Sequence, residues 1–137
     1  MISQYRFLKV REGICFFAAV WVEVIPEPAE NRVVVAIPDN VNPDDGEVTL
    51  LTGRSWVLAA HRGAQLALDL LSAIDMLESK YLVKILKVVG TDIDTTEDVV
   101  LCSAALATCE AIAPQKPLFE LVFEGTWRLQ RLGSQSN

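Results

Sequence analysis

The run from Lys80 to Ile112, KYLVKILKVVGTDIDTTEDVVLCSAALATCEAI, constrains this chain more than any other. Leu82 and Val83, Ile85 and Leu86, and Val88 and Val89 put apolar side chains on both faces of an extended segment, the pattern of a strand with little exposure. Within a few residues the spacing becomes helical. Asp94 reads as the N-cap of that helix, with Glu97 at the third helical position of a capping box and Glu97 and Asp98 complementing the positive helix end. The helix is built largely of small residues, Ser103, Ala104, Ala105, Ala107 and Ala111, so it can lie close against a neighbour.

Strand signals precede this unit. Gln4 to Val10 forms a short strand with Tyr5, Phe7 and Lys9 on one face, a turn falls at Arg11, Glu12 and Gly13, and Ile14 to Ile25 is rich in aromatic and β-branched residues, as in a central strand. Pro26 and Pro28 mark a loop, and Arg32 to Ile37 returns as a third strand stopped by Pro38. The expected arrangement of these three is a meander. Asp39 to Gly46 is dense in acid, but with Gly46 as the loop glycine the first and third calcium-ligand positions would be Val41 and Pro43, so it reads as a solvated turn. From Ser55 to about Ser79 there is a long helix, or two broken near Ser72, with Trp56, Ala60, Ala64, Ala67 and Leu71 at helical spacing. Gly63 costs about 1 kcal/mol there relative to alanine, which points to a close approach by the second helix. After Pro114 and Pro117, Leu118 to Leu132 alternates. Phe119, Leu121, Phe123, Trp127 and Leu129 fall on one side of a single half-exposed strand. Gly133 to Asn137 is expected to be a frayed tail.

With 137 residues, the chain is sized for a single domain with a real core. Half of its residues are hydrophobic and the mean hydropathy is +0.30, high for a net charge of −6, so part of the apolar surface is expected to be covered by a protein partner or by a second copy in a homo-oligomer. The acidic balance disfavours a large RNA-binding surface and an anionic membrane, since both require Lys and Arg to neutralise phosphate. Cys15, Cys102 and Cys109 are odd in number, lie in apolar surroundings and lack metal-ligand spacing, so they read as reduced thiols of a cytoplasmic protein. No export leader or membrane span is expected.

Four ordered segments carry a family resemblance. VWVEVIPEP (Val20 to Pro28), SWVLAAHRGAQLAL (Ser55 to Leu68), DIDTTEDVVLCSAALATCEAI (Asp92 to Ile112) and KPLFELVFEGTW (Lys116 to Trp127) together resemble domain IV of translation elongation factor G. The resemblance implies an α+β, two-layer fold with two helices packed on one face of a mixed, mainly four-stranded β-sheet, and a left-handed βαβ crossover, an exception to the usual handedness. It places Asp94 and Thr95 in the family's Asp-Ser turn, and Gly63 at its helix glycine. Gly63 and the face from Ala104 through Ala107 to Ala111 would then form the contact between helices. The functional positions of the family differ here. Its glycine-rich basic tip loop corresponds to Arg11, Glu12 and Gly13, and where it carries a histidine this chain has Val88, Val89, Gly90 and Thr91. No P-loop is present, so no GTP chemistry is expected.

No catalytic set stands out. His61 lacks a nucleophilic partner in any recognisable motif. Asp92, Asp94, Glu97 and Asp98 could gather a hard cation, but capping and helix-dipole complementarity already account for Asp94, Glu97 and Asp98, so no metal is expected; Glu23 is placed on the open face or near the strand end, and no cofactor is expected. Two function classes remain. The first is a non-enzymatic interaction domain that self-associates, with Phe119, Phe123 and Trp127 as interface residues. The second is a ribosome- or RNA-associated accessory protein that uses Lys9, Arg11 and Lys87 at one end of the sheet.

Overall fold

A two-residue turn sets the register of the first hairpin. Glu12 and Gly13 have φ of 54° and 78°, the positive-φ turn geometry whose twist matches that of paired strands. In this computed structural model, which describes residues 1–115 and 117–133, β1 (Ile2–Arg11) pairs antiparallel with β2 (Ile14–Pro26), from Arg11 opposite Ile14 to Ile2 opposite Glu23, with no bulge. Lys116 and the tail from Ser134 lie outside the described residues.

The meander is corrected. The sheet order is β1-β2-β4-β3: β4 (Tyr81–Val89) sits antiparallel beside β2, and β3 (Arg32–Val35) runs parallel on the far side of β4. The loop after β2 explains the crossing. Glu27 N–H donates to the Lys80 carbonyl (2.8 Å), Tyr81 N–H donates to Asn31 Oδ1 (2.7 Å) and Lys80 Nζ donates to the Ala29 carbonyl (3.3 Å). The chain is thus tied over the start of β4 instead of folding back on β2.

The helices α1 (Arg54–Ala73) and α2 (Glu97–Ile112) pack against each other, α1 against β3 and β4 and α2 against β1 and β2. The fold is α+β, with a mixed four-stranded sheet and a second, two-stranded sheet. Period-2 alternation assigns the helix-covered face: Phe16, Ala18, Val20, Val22 and Val24 of β2 are buried, as is Phe7 of β1. In β4 the inward set is Val83, Ile85 and Val88, a change of parity. A register shift between Trp21 and Val22 of β2 leaves Leu86 opposite nothing, so residues before and after this bulge face the core on odd and even numbers. That bulge, and not burial on both faces, is why β4 reads as apolar throughout.

Gly63 touches the second helix closely: a Cβ there would lie 2.1 Å from the Leu101 carbonyl oxygen. The alanine face divides. Ala105 and Cys109 cluster with Ala67 and Leu71 of α1, whereas Ala104, Ala107 and Ala111 belong to the core cluster that holds Phe7, Phe16 and Val20. That core cluster also holds Ala60, Ala64 and Leu68 of α1, so this alanine face packs into the core that the sheet and the first helix share.

The last segment is not one strand. Glu124, Gly125 (φ 82°) and Thr126 form a turn, and β5 (Phe119–Phe123) pairs antiparallel with β6 (Trp127–Arg131) as a separate hairpin. Phe123 opposes Trp127 and Leu121 opposes Leu129. A three-residue turn keeps the odd-numbered residues on one face, so the same alternation fits one strand or two.

Candidate functional site

The turn before α2 differs in detail from the expected cap. Thr96, not Asp94, is the N-cap; its hydroxyl donates to Asp98 Oδ1 and makes no bond to the helix backbone. Glu97 is the first helical residue rather than the third, so no capping box forms. Thr95 is buried instead: its Oγ1 donates to the Phe17 carbonyl (2.6 Å) and accepts from Thr91 N–H (2.8 Å). The Asp94 carbonyl accepts from Phe17 N–H (2.9 Å), so this turn continues the β4 side of the ladder beside β2. The acids separate. Glu97 meets Arg62 (3.3 Å) and Asp98 Oδ2 accepts from Trp127 N–H (2.7 Å). Among the described residues no cluster of three His, Cys, Asp or Glu side chains is arranged to hold a metal ion.

The aromatic residues expected at an interface are packed inside the molecule. Trp127 and Phe119 are buried. Trp127 meets Phe7 edge-on (centroids 4.9 Å), Phe16 at 5.6 Å and Phe123 at 5.0 Å, and Phe123 reaches Phe16 at 5.4 Å. The β5–β6 hairpin is thus a lid over the turn end of β1 and β2, and the cover these side chains need comes from the chain's own sheet. Trp127 Nε1 is buried without a hydrogen-bond partner among the described residues, and the Arg11 guanidinium lies 5.4 Å from its ring.

The three basic residues are not brought together. Lys9 and Arg11 oppose Phe16 and Ile14 on the helix side of β1, at the turn end. Lys87 opposes Trp21 on the other face, near Glu47 (3.8 Å) and over the Trp21 ring (4.9 Å). Lys9 and Arg11 instead form one wall of a groove of about 430 Å3 whose other walls are the last turns of α2, with Leu106 and Glu110, and β5, with Phe119 and Glu120. Tyr5 stands in the same wall. Its phenol is pushed above its ordinary 10 by burial first, then by the nearby Cys102 and Glu110. The groove is thus largely apolar, with Glu110 beside Tyr5, Glu120 on the β5 wall, and Lys9 and Arg11 on the β1 wall. Neither of these two cations has an acidic partner within 4.0 Å among the described residues.

The uncovered face of the sheet has its own character. Ile2, Leu8 and Val10 are 62, 57 and 59% exposed, while Phe17 lies under the Arg6 guanidinium (5.0 Å) and Glu23 meets Lys84 (3.8 Å). Exposed Ile93 (91%) lies in the turn whose next residue bonds to Phe17. Of the charged residues singled out from the sequence, Glu23 and Lys87 fall on this surface, and the exposed positions of β1 join them once the Glu12-Gly13 turn fixes the register.

The remaining chemical groups are quiet. His61 Nε2 lies 3.0 Å from the Val33 carbonyl. Burial pushes the Cys109 thiol up to about 12, and burial, then the Asp98 carboxylate, does the same for Cys102, away from the thiolate that a nucleophile requires. No helix among the described residues is long and apolar enough to cross a membrane.

No protein-family model and no curated protein matches the sequence. Among solved structures, the fold is similar to that of a crystallised protein from Thermus thermophilus, with a TM-score of 0.60 and 16% identity over 88% of this chain. The match covers only 17% of that protein's chain. At this identity the likeness concerns the fold, and it shows the same architecture as part of a much larger polypeptide.

Proposed function

We propose that this chain is a non-enzymatic interaction module that associates with a second copy of itself through β1. The observation that carries the reading is the exposure of Leu8 and Val10 side by side on the face of β1 that the helices leave open, with Ile2 exposed towards the other end of the same strand. Large apolar side chains adjoining on one surface are the usual mark of a contact site. The raised Cys102 and Cys109 thiols and the carbonyl-bound His61 support a role other than nucleophilic catalysis. Light scattering on a concentration series tests it. A dimer that forms in the micromolar range supports the reading; a monomer at several hundred micromolar contradicts it.

A second reading is a ribosome- or RNA-associated accessory protein related to domain IV of elongation factor G. Lys9 and Arg11, adjacent on one face and without acidic partners among the described residues, favour it. Co-sedimentation with ribosomes across a salt series should then be salt-sensitive and weakened by Arg11→Glu; binding absent at low salt would contradict it.

A further inference from the structure

Resting on the self-association reading, we infer that the second copy adds its own β1 antiparallel to the free edge of β1, with Phe7 opposite Phe7, Tyr5 opposite Lys9 and Ser3 opposite Arg11 of the second copy. Among the described residues β1 has a partner strand on one side only. The backbone nitrogen and carbonyl of Met1 both bond to Val24 (2.9 and 2.8 Å), which fixes the alternation of the ladder: odd residues of β1 bond to β2, and even residues, Ile2 through Val10, turn their N–H and C=O groups outward. The Val10 carbonyl accepts from the Arg11 guanidinium (2.8 Å), an exposed contact that strand addition would displace; a row of such outward groups is a template for another strand. The opposite edge of the sheet, β3, is only four residues long.

Charge selects a second copy, and a register, over an arbitrary strand. In the groove beside this edge Glu110 lies near Tyr5, Lys9 and Arg11 follow on the β1 wall, and Glu120 stands on the β5 wall. A two-fold axis reverses one groove against the other, so Lys9 of the second copy comes beside Tyr5 and Glu110, and the same contact repeats across the axis. Sliding the added strand until Arg6 opposes Arg6, or Lys9 opposes Lys9, sets like charges directly across the ladder, which is destabilising. Centring on Leu8 avoids both but leaves Ser3 and Gln4 unpaired. Centring on Phe7 pairs the longest run, Ser3 to Arg11, and sets Gln4 opposite Val10 and Arg6 opposite Leu8, so each outward backbone group in that run meets an outward group. The two open faces then join into one continuous surface.

Gln4→Pro and Lys9→Glu test the pairing. Proline at position 4 removes an outward N–H and no bond to β2, a place where edge strands tolerate it. The wild type is expected to dimerise by light scattering. Gln4→Pro should abolish the dimer without changing the circular dichroism spectrum, and Lys9→Glu should weaken dimerisation by about tenfold or more, with recovery in Lys9→Glu combined with Glu110→Lys. A dimer that survives both Gln4→Pro and Lys9→Glu, in folded variants, overturns the strand pairing while leaving self-association standing. A monomeric wild type overturns both.

Discussion

On the helix side of the sheet Phe7, Val20 and Ile85 are fully buried and Phe7 stacks edge-on with Trp127. On the other side Ile2, Leu8 and Val10, from the same strand as Phe7, stand largely in water, and the rings of Phe17 and Trp21 meet Arg6 and Lys87. One strand thus contributes to a dry interior and to a half-apolar surface through nothing more than the period-2 alternation of its side chains. The difference teaches where stability and function separate. Substitutions of the buried residues facing the helices should change folding, and substitutions of exposed residues of β1 should change association with little effect on folding.

The largest expected effect is on the lid. Trp127→Ala removes the ring that joins Phe7, Phe16 and Phe123, and should cost roughly 3–5 kcal/mol in urea unfolding. Gly63→Ala should cost roughly 1–3 kcal/mol or more, because the added methyl meets backbone of α2 and a helix must move. Thr95→Val leaves the Phe17 carbonyl and the Thr91 N–H without their partner, and should cost about 1–3 kcal/mol. Leu8→Glu, by contrast, should change the stability of the dilute protein by no more than about 0.5 kcal/mol. A large destabilisation by Leu8→Glu would break the distinction between the faces.

The thiols sharpen it through pH. In the unfolded chain Cys102 and Cys109 ionise near the ordinary 9; in the folded chain both stay neutral up to about 12. The unfolded state therefore loses protons first, so these groups leave stability unchanged below pH 9 and reduce it as the pH rises from about 9 towards 12. Urea midpoints at pH 8 and pH 10 check the sign. A thiol reagent under native conditions should label half-buried Cys15 quickly and the two buried cysteines only after unfolding.

Much of the architecture is legible in local pattern. The Glu12-Gly13 turn, the alternation of β2, the small-residue helices and Gly63 each express their physics within a few residues. What escapes is set by contacts distant in sequence. The place of β3 beside β4 depends on the loop after Pro26 bonding to Lys80 and Tyr81, and no spacing within β3 records it. The bulge at Leu86 makes an ordinary one-sided strand look buried on both sides. The β5–β6 turn preserves the parity of its flanking residues, so the pattern puts Phe119, Phe123 and Trp127 on the correct face of the wrong element. That face turns towards the chain's own sheet, which withdraws them as an interface. Asp94 is a misleading cap for a local reason: Asp94, Thr95 and Thr96 are all good N-cap residues, and only the buried Thr95 hydroxyl decides among them. Of the candidate site, Lys9 and Arg11 are visible in the sequence, but Tyr5 and Glu110 become their neighbours only once α2 is laid along β1.

Amide hydrogen exchange along β1, followed at low and high protein concentration, tests the central claim most directly. The amides of Tyr5, Phe7 and Lys9, bonded to β2, should be protected at every concentration and serve as the internal reference. Those of Gln4, Arg6, Leu8 and Val10, which face outward, should exchange freely in dilute protein and become protected as the concentration rises. If these four exchange at the rate of unpaired amides at all concentrations, the edge of β1 is not where this chain meets its second copy.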